Sequence, residues 1–240
     1  MQSFFIWKGI DCRSKGIRLA SAAPIIRGEE AVTHVTIPGR AGELTLTEGE
    51  KVFRSYIQSV TIIVPRSYNV RDVYNWLSGD GELTLSAEPD RKQHARVIGA
   101  ITLERVSKCL DFYQGSVQFY CDPVKQSMHE ADETVTINGT LKNNGDMPCK
   151  PLVVLNGINA ENPVVLSVGG KSISIDLSGM ENPVTTVRVD CDAQMVTSVD
   201  GETNLTAFST GEFPEVPVGE CQIAGSNWTN AVVSMRRRFL

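Results

Sequence analysis

Apolar and polar residues alternate with a period of two along much of the chain. Ile173, Ile175 and Leu177 fall on one side while Ser172, Ser174 and Asp176 fall on the other. Val187, Val189 and Cys191 alternate with Arg188, Asp190 and Asp192, and Val117, Phe119 and Cys121 with Ser116, Gln118 and Tyr120. Successive side chains of a strand point to opposite faces, so each run predicts a strand with one buried and one wet face. Ser59 to Val64 lacks the alternation and reads as a strand buried on both faces, bounded by Pro65. Only one segment has a helical period. Val70, Val73, Tyr74 and Leu77 recur at i, i+3, i+4 and i+7, Asn69 can cap the first turn, and Gly79 can end the helix. Trp76 lies beside this stripe, so the helix is expected to lie across a sheet with its aromatic edge packed.

Residues tolerant of positive φ separate the runs at Asn138-Gly139, Asn144-Gly145, Asn156-Gly157, Gly169-Gly170 and Asp200-Gly201. The pattern predicts short antiparallel strands joined by tight turns. Leu44–Leu46 and Lys51–Phe53 flank Thr47-Glu48-Gly49-Glu50, which predicts a hairpin with a charged tip. A polar, acidic stretch at His129–Glu133 precedes a new series of strands. The expected division is therefore into residues 1–140 and 141–240.

Composition agrees with the pattern. Val, Ile and Thr together make 59 of 240 residues, a bias towards pleated, half-buried surfaces. No run approaches the ~18 apolar residues of a membrane helix, and Phe4–Trp7 is too short for a signal-peptide apolar region, so no membrane insertion is expected. The net charge of -5 argues against a surface built to wrap phosphates, so no specific nucleic-acid binding is expected. Arg236-Arg237-Arg238 is the one basic run and reads as a solvated strand end. Six cysteines at positions 12, 109, 121, 149, 191 and 221 contain no CxxC pair and are expected to be reduced thiols.

Candidate chemistry is thin. GxSxG, HExxH, a Walker loop and GxGxxG are all missing, and His34, His94 and His129 have no metal-pair spacing. The acidic pairs Glu29-Glu30 and Glu88 with Asp90 read as solvated turns rather than a glycosidase carboxyl pair. The chain is not expected to be an enzyme, and no cofactor or metal is implied.

The order of short motifs is more informative. Phe5-Ile6-Trp7-Lys8-Gly9-Ile10-Asp11-Cys12 with Gly16-Ile17, Ile37-Pro38-Gly39-Arg40-Ala41-Gly42, Trp76–Leu83, Ser86-Ala87-Glu88-Pro89-Asp90 and Val117–Pro123 succeed one another in the first half. Pro151-Leu152, Val187–Cys191 and Phe213–Ile223 continue the series. Taken in order, these resemble the motifs of siphophage distal tail proteins over nearly the whole chain. Cys221 stands where that family has Asn, and Cys12 where it has Ser.

The resemblance implies a mainly β chain: an N-terminal β-sheet domain with one α-helix, then a galectin-like β-sandwich. It implies a structural hub at the tip of a phage tail, a hexameric ring joining the tail tube protein to the tail-associated fibre or lysin protein. Such a protein would be assembled in the bacterial host cytoplasm and reside in the virion. The expected ring or partner contacts are Pro38, Gly39, Arg40, Gly42, Glu48 and Glu50. The alternative is a carbohydrate-binding β-sandwich adsorption module. A galectin-type sugar site needs a histidine and a stacking tryptophan, yet no histidine occurs after His129 and Trp228 is the one tryptophan after Trp76.

Overall fold

The computed structural model describes residues 3–47, 49, 52–105, 111–159, 161–180, 184–199 and 203–240. The chain divides into two units, the first running through Met128 and the second from His129 to Phe239. The division precedes the expected 140/141. Glu133–Thr136 and Thr140–Asn143 both pair with strands near the C-terminus, so the polar stretch at 129–133 belongs to the second unit.

The first unit contains β1 (Phe5–Trp7), β2 (Ile10–Asp11), β3 (Arg18–Leu19), β4 (Val32–Thr36), β5 (Glu43–Thr47), β6 (Tyr56–Pro65), α1 (Val70–Trp76), β7 (Asp80–Leu85), β8 (Arg91–Arg105) and β9 (Phe112–Ser127). An antiparallel sheet runs in the order β2-β1-β7-β8-β9-β6-β3. The helix forms where its period placed it. The Asn69 carboxamide oxygen accepts the Arg71 N–H at 3.0 Å, and Gly79, at φ +67°, turns the chain into β7. Val73, Trp76 and Leu77 are buried against the sheet. The Trp76 ring stacks on Phe5 with centroids 5.6 Å apart, and the Trp7 indole donates to the Trp76 carbonyl at 3.0 Å. Trp76 is thus a core residue that fastens α1 to β1.

Strand β6 departs from the expected doubly buried strand. Val60, Ile62 and Val64 face the core, whereas on the opposite face Ser59 is exposed and Thr61 and Ile63 are only half-buried. The sheet carries α1 on one face only, so a run of apolar residues here does not mean two covered faces. Pro65 is the last strand residue, opposite Phe112, rather than a boundary beyond it.

The second unit is a β-sandwich. Its strands are β10 (Glu133–Thr136), β11 (Thr140–Asn143), β12 (Leu152–Asn156), β13 (Val164–Val168), β14 (Lys171–Ile175), β15 (Thr186–Asp190), β16 (Met195–Ser198), β17 (Ser209–Gly211), β18 (Gly219–Ser226) and β19 (Asn230–Ser234). They form two five-stranded antiparallel sheets, β10-β19-β12-β15-β16 and β11-β18-β13-β14-β17. The alternating residues of β14 and β15 point inward as predicted: Ile173, Ile175, Leu177, Val187, Val189 and Cys191 are all buried in one core. Gly169-Gly170, at φ +61° and +82°, turns β13 into β14. The predicted turn at Asp200-Gly201 lies outside the described residues. The whole is mainly β, a sheet unit with its helix and then a sandwich.

The arginine run is structural rather than a solvated strand end. Arg236 makes a two-pronged pair with Asp190 at 2.8 and 3.0 Å. Arg237 donates to Glu133 at 2.5 Å and to the Lys142 carbonyl at 3.0 Å, and its backbone N–H reaches Glu130. The planar guanidinium fork suits such forked pairing to carboxylates.

Candidate functional site

The feature least explained by the fold of the first unit is a two-stranded ribbon made of β4 and β5. It pairs Val32 with Thr47, Thr33 with Leu46, His34 with Thr45, Val35 with Leu44 and Thr36 with Glu43, and no third strand joins it among the described residues. This replaces the predicted hairpin, in which Leu44–Leu46 would have paired with Lys51–Phe53. The reason is the turn chemistry at Ile37-Pro38-Gly39-Arg40. The Arg40 N–H donates to the Ile37 carbonyl at 3.1 Å, with Pro38 at the second position and Gly39, at φ +83°, at the third. Proline presets the φ of the second residue of a type II turn and glycine supplies the positive φ of the third. Strand β5 therefore pairs with β4 across this turn, and Glu48, Glu50 and Lys51 of the predicted hairpin lie outside the described residues.

Four of the six expected contact residues thus come together. Pro38, Gly39, Arg40 and Gly42 form the exposed tip of the ribbon, and nothing lies within 4 Å of where a Cβ would sit on either glycine. Glu48 and Glu50 lie outside the described residues.

The base of the ribbon is fixed while its length is exposed. The Ala31 N–H donates to the Val52 carbonyl at 2.8 Å, the Arg54 N–H to the Glu29 carbonyl at 2.7 Å, and the Arg54 guanidinium to the Val32 carbonyl at 3.1 Å. Glu29-Glu30 serves this junction through its backbone, with Glu30 bridged to Phe53. Just before it, buried Lys125 donates to Glu88 at 2.6 Å and to the Ile26 carbonyl at 3.5 Å, and Glu88 also accepts from Arg91 at 2.8 Å. Glu88 is thus occupied in an ion-pair cluster rather than opposed to Asp90.

The pairing register sorts the ribbon into two unlike faces. Val35, Leu44 and Leu46 share one face with Thr33, while His34, Thr36, Glu43, Thr45 and Thr47 share the other, with Val32 at its base. On the polar face the His34 imidazole lies 3.2 Å from the Thr45 hydroxyl and 3.9 Å from the Glu43 carboxylate. On the apolar face Val35 is 37% and Leu46 48% exposed, and Ile37 at the turn is exposed as well. An isolated two-stranded ribbon is at best marginal in water, and this one leaves its apolar face uncovered. Sequence reasoning missed this face. The signal was the pair of alternating runs, Val32–Ile37 and Glu43–Thr47, on either side of Pro38-Gly39.

Other candidate groups are accounted for elsewhere. Trp228, the one tryptophan of the second unit, is buried and donates its indole N–H to the Val165 carbonyl at 2.9 Å, so it offers no stacking platform for a sugar ring. Cys12, Cys121, Cys149, Cys191 and Cys221 are free, and Cys109 lies outside the described residues. Burial pushes the Cys121, Cys149 and Cys191 thiols up to about 12, which keeps them protonated and unreactive. Among the described residues no group of three or more His, Cys, Asp or Glu gathers to hold a metal.

No known family and no curated protein sequence matches the chain. Solved structures do. The structure of the phage P2 baseplate in its calcium-activated conformation contains a chain matched with a TM-score of 0.55 at 9% identity, over 100% of this chain and 98% of that one. The SPP1 Dit protein, a paradigm of the hub adsorption apparatus in phages that infect Gram-positive bacteria, matches with a TM-score of 0.77 at 16% identity, over 100% of both chains. From end to end, the chain has the fold of the SPP1 Dit protein.

Proposed function

We propose that this chain is the structural hub of a phage tail tip, closing as a ring of six copies that joins the tail tube protein to the fibre or lysin protein of the adsorption apparatus. The observation that carries the reading is the match to SPP1 Dit over the full length of both chains, both units included. The ribbon supports it independently. A hub works by geometry, and a ring needs two different, complementary patches on every copy so that head-to-tail contacts close. An exposed apolar ribbon face supplies one such patch on a chain whose cores are otherwise covered.

Pro38, Gly39, Arg40 and Gly42 then belong to the contact between copies, with Glu48 and Glu50 in the segment after β5. Six copies carry a formal charge of about -30 at -5 each, so the overall field of the ring does not trap a passing duplex. The test is solution mass by light scattering after size exclusion, over a range of concentrations. Six copies of 26.2 kDa give about 157 kDa. A species at that mass is expected, and a chain that stays at 26.2 kDa at every concentration overturns the ring.

A further inference from the structure

The surface that receives the ribbon can be sought on the same chain, because head-to-tail closure requires it there. The sheet of the first unit has one face on its core and α1. Cross-strand register shows what the other face displays. Ile57 on β6 lies opposite Tyr120 on β9, which lies opposite Arg96 on β8, and Ser59, Gln118 and Ile98 form the adjoining row. Ile57 and Tyr120 are 49% and 47% exposed, so this row is an uncovered apolar step on that face.

Further along the same strands the face sinks into an open cavity of about 580 Å³. Thr61, Thr102, Gly115 and Ser116 give it a floor of small residues, with Gln114, Glu104 and Arg105 around them. At Gly115 a side chain would collide with the Thr102 carbonyl and the Leu103 side chain, so β8 and β9 approach closely here.

We infer that the ribbon of a second copy lies along this face, its apolar side on Ile57, Tyr120 and Ile98 and its Arg40 in the cavity against Glu104. This seat rests on the ring reading and names its interface. Three properties match. From Tyr120 to Gln114 is six strand steps, about 20 Å, and the four steps between the five paired levels of the ribbon rise about 14 Å before the turn adds its own length. Both surfaces carry exposed apolar residues, Val35 and Leu46 on the ribbon and Ile57 and Tyr120 on the sheet. Their charges complement each other at the far end: the tip of the ribbon presents Arg40, and the cavity presents Glu104. Among the described residues neither Arg40 nor Glu104 forms an ion pair within its own chain. An unpaired cation on a free tip and an unpaired carboxylate in a recess are what a contact between copies would bring together.

The experiment uses the full chain as wild type, Arg40→Glu, Glu104→Arg and the double reversal, each measured by light scattering across concentration. The thermal midpoint of each variant serves as a folding control, since both residues are exposed. Each single reversal is expected to raise the concentration for half-assembly about tenfold or more, and the double variant to return it to within about threefold of wild type. Singles that assemble like wild type, or a double variant as weak as the singles, overturn this seat while leaving the ring standing. A wild-type chain that never exceeds 26.2 kDa overturns the ring and the seat together.

Discussion

At the scale of single residues, the polar groups inside this chain are held by partners that sequence distance conceals. Lys125 finds Glu88 and the Ile26 carbonyl, and Arg236 finds Asp190. The Asp190 carboxyl shows the balance. Burial raises its pKa, but the Arg236 guanidinium and the N–H groups of Ala193 and Asp192 more than offset that and hold it below the usual carboxylate range. None of these pairs is legible in the sequence, because a charge run such as Arg236–Arg238 looks the same on paper whether solvated or paired. The thiols are legible in part. Cys121 and Cys191 sit on the apolar beat of alternating runs, so their position predicts burial, while Cys149 carries no such signal. Burial raises Cys121, Cys149 and Cys191 from 9.0 to about 12, so the folded state keeps protons that the unfolded chain loses. Stability they contribute is fully present below pH ~9 and is lost as pH rises from there to ~12, at about 1.4 kcal/mol per pH unit for each thiol at most. Denaturant melts from pH 8 to 11 should therefore fall more steeply for the wild type than for a variant with all three changed to alanine. Parallel curves would sink the assignment.

At the scale of elements, period and capping are enough for α1 and for the inward faces of β14 and β15, because each is decided by residues close in sequence. The ribbon is misread for a related reason. Two turn signals compete near β5, Pro38-Gly39 before it and Glu48-Gly49 after it, and both are flanked by strand-forming residues. The first wins because proline and glycine preset both central residues of its turn, whereas the second offers glycine alone. Strand β6 fails differently. Whether Ile57 and Ile63 are covered depends on what lies over the far face of the sheet, which an apolar run cannot say. The turn makes a local prediction. Gly39 is at φ +83° with open space around it, so Gly39→Ala meets no clash and costs only backbone strain, about 1–3 kcal/mol. Amide exchange at Val35 and Leu44 should accelerate by roughly tenfold or more while the thermal midpoint of the chain stays unchanged. Unchanged exchange would mean that another contact, not the turn, holds the ribbon together.

At the scale of the whole molecule, the two-part organisation is legible and its boundary is not. Composition shifts where the polar stretch begins at His129, but only the pairing of Glu133–Thr136 with Asn230–Ser234 shows to which side it belongs, and that contact spans nearly a hundred residues. Each unit has a buried core of its own. Phe5, Trp7, Trp76 and Phe119 centre the first, while Leu155, Leu166, Ile173 and Val189 lie in the second, and no residue is shared. Cooperative unfolding tracks shared burial, so two cores without common members should melt as two transitions rather than one. Large-to-small changes then report separately. Trp7→Ala removes the ring that packs on Phe119 and the indole bond to Trp76, at a cost of about 3–5 kcal/mol, and Leu155→Ala opens a cavity costing about 2–5 kcal/mol. Scanning calorimetry should show each variant lowering one transition and leaving the other within a degree or two. A single transition lowered by both changes would show instead that the units unfold as one body.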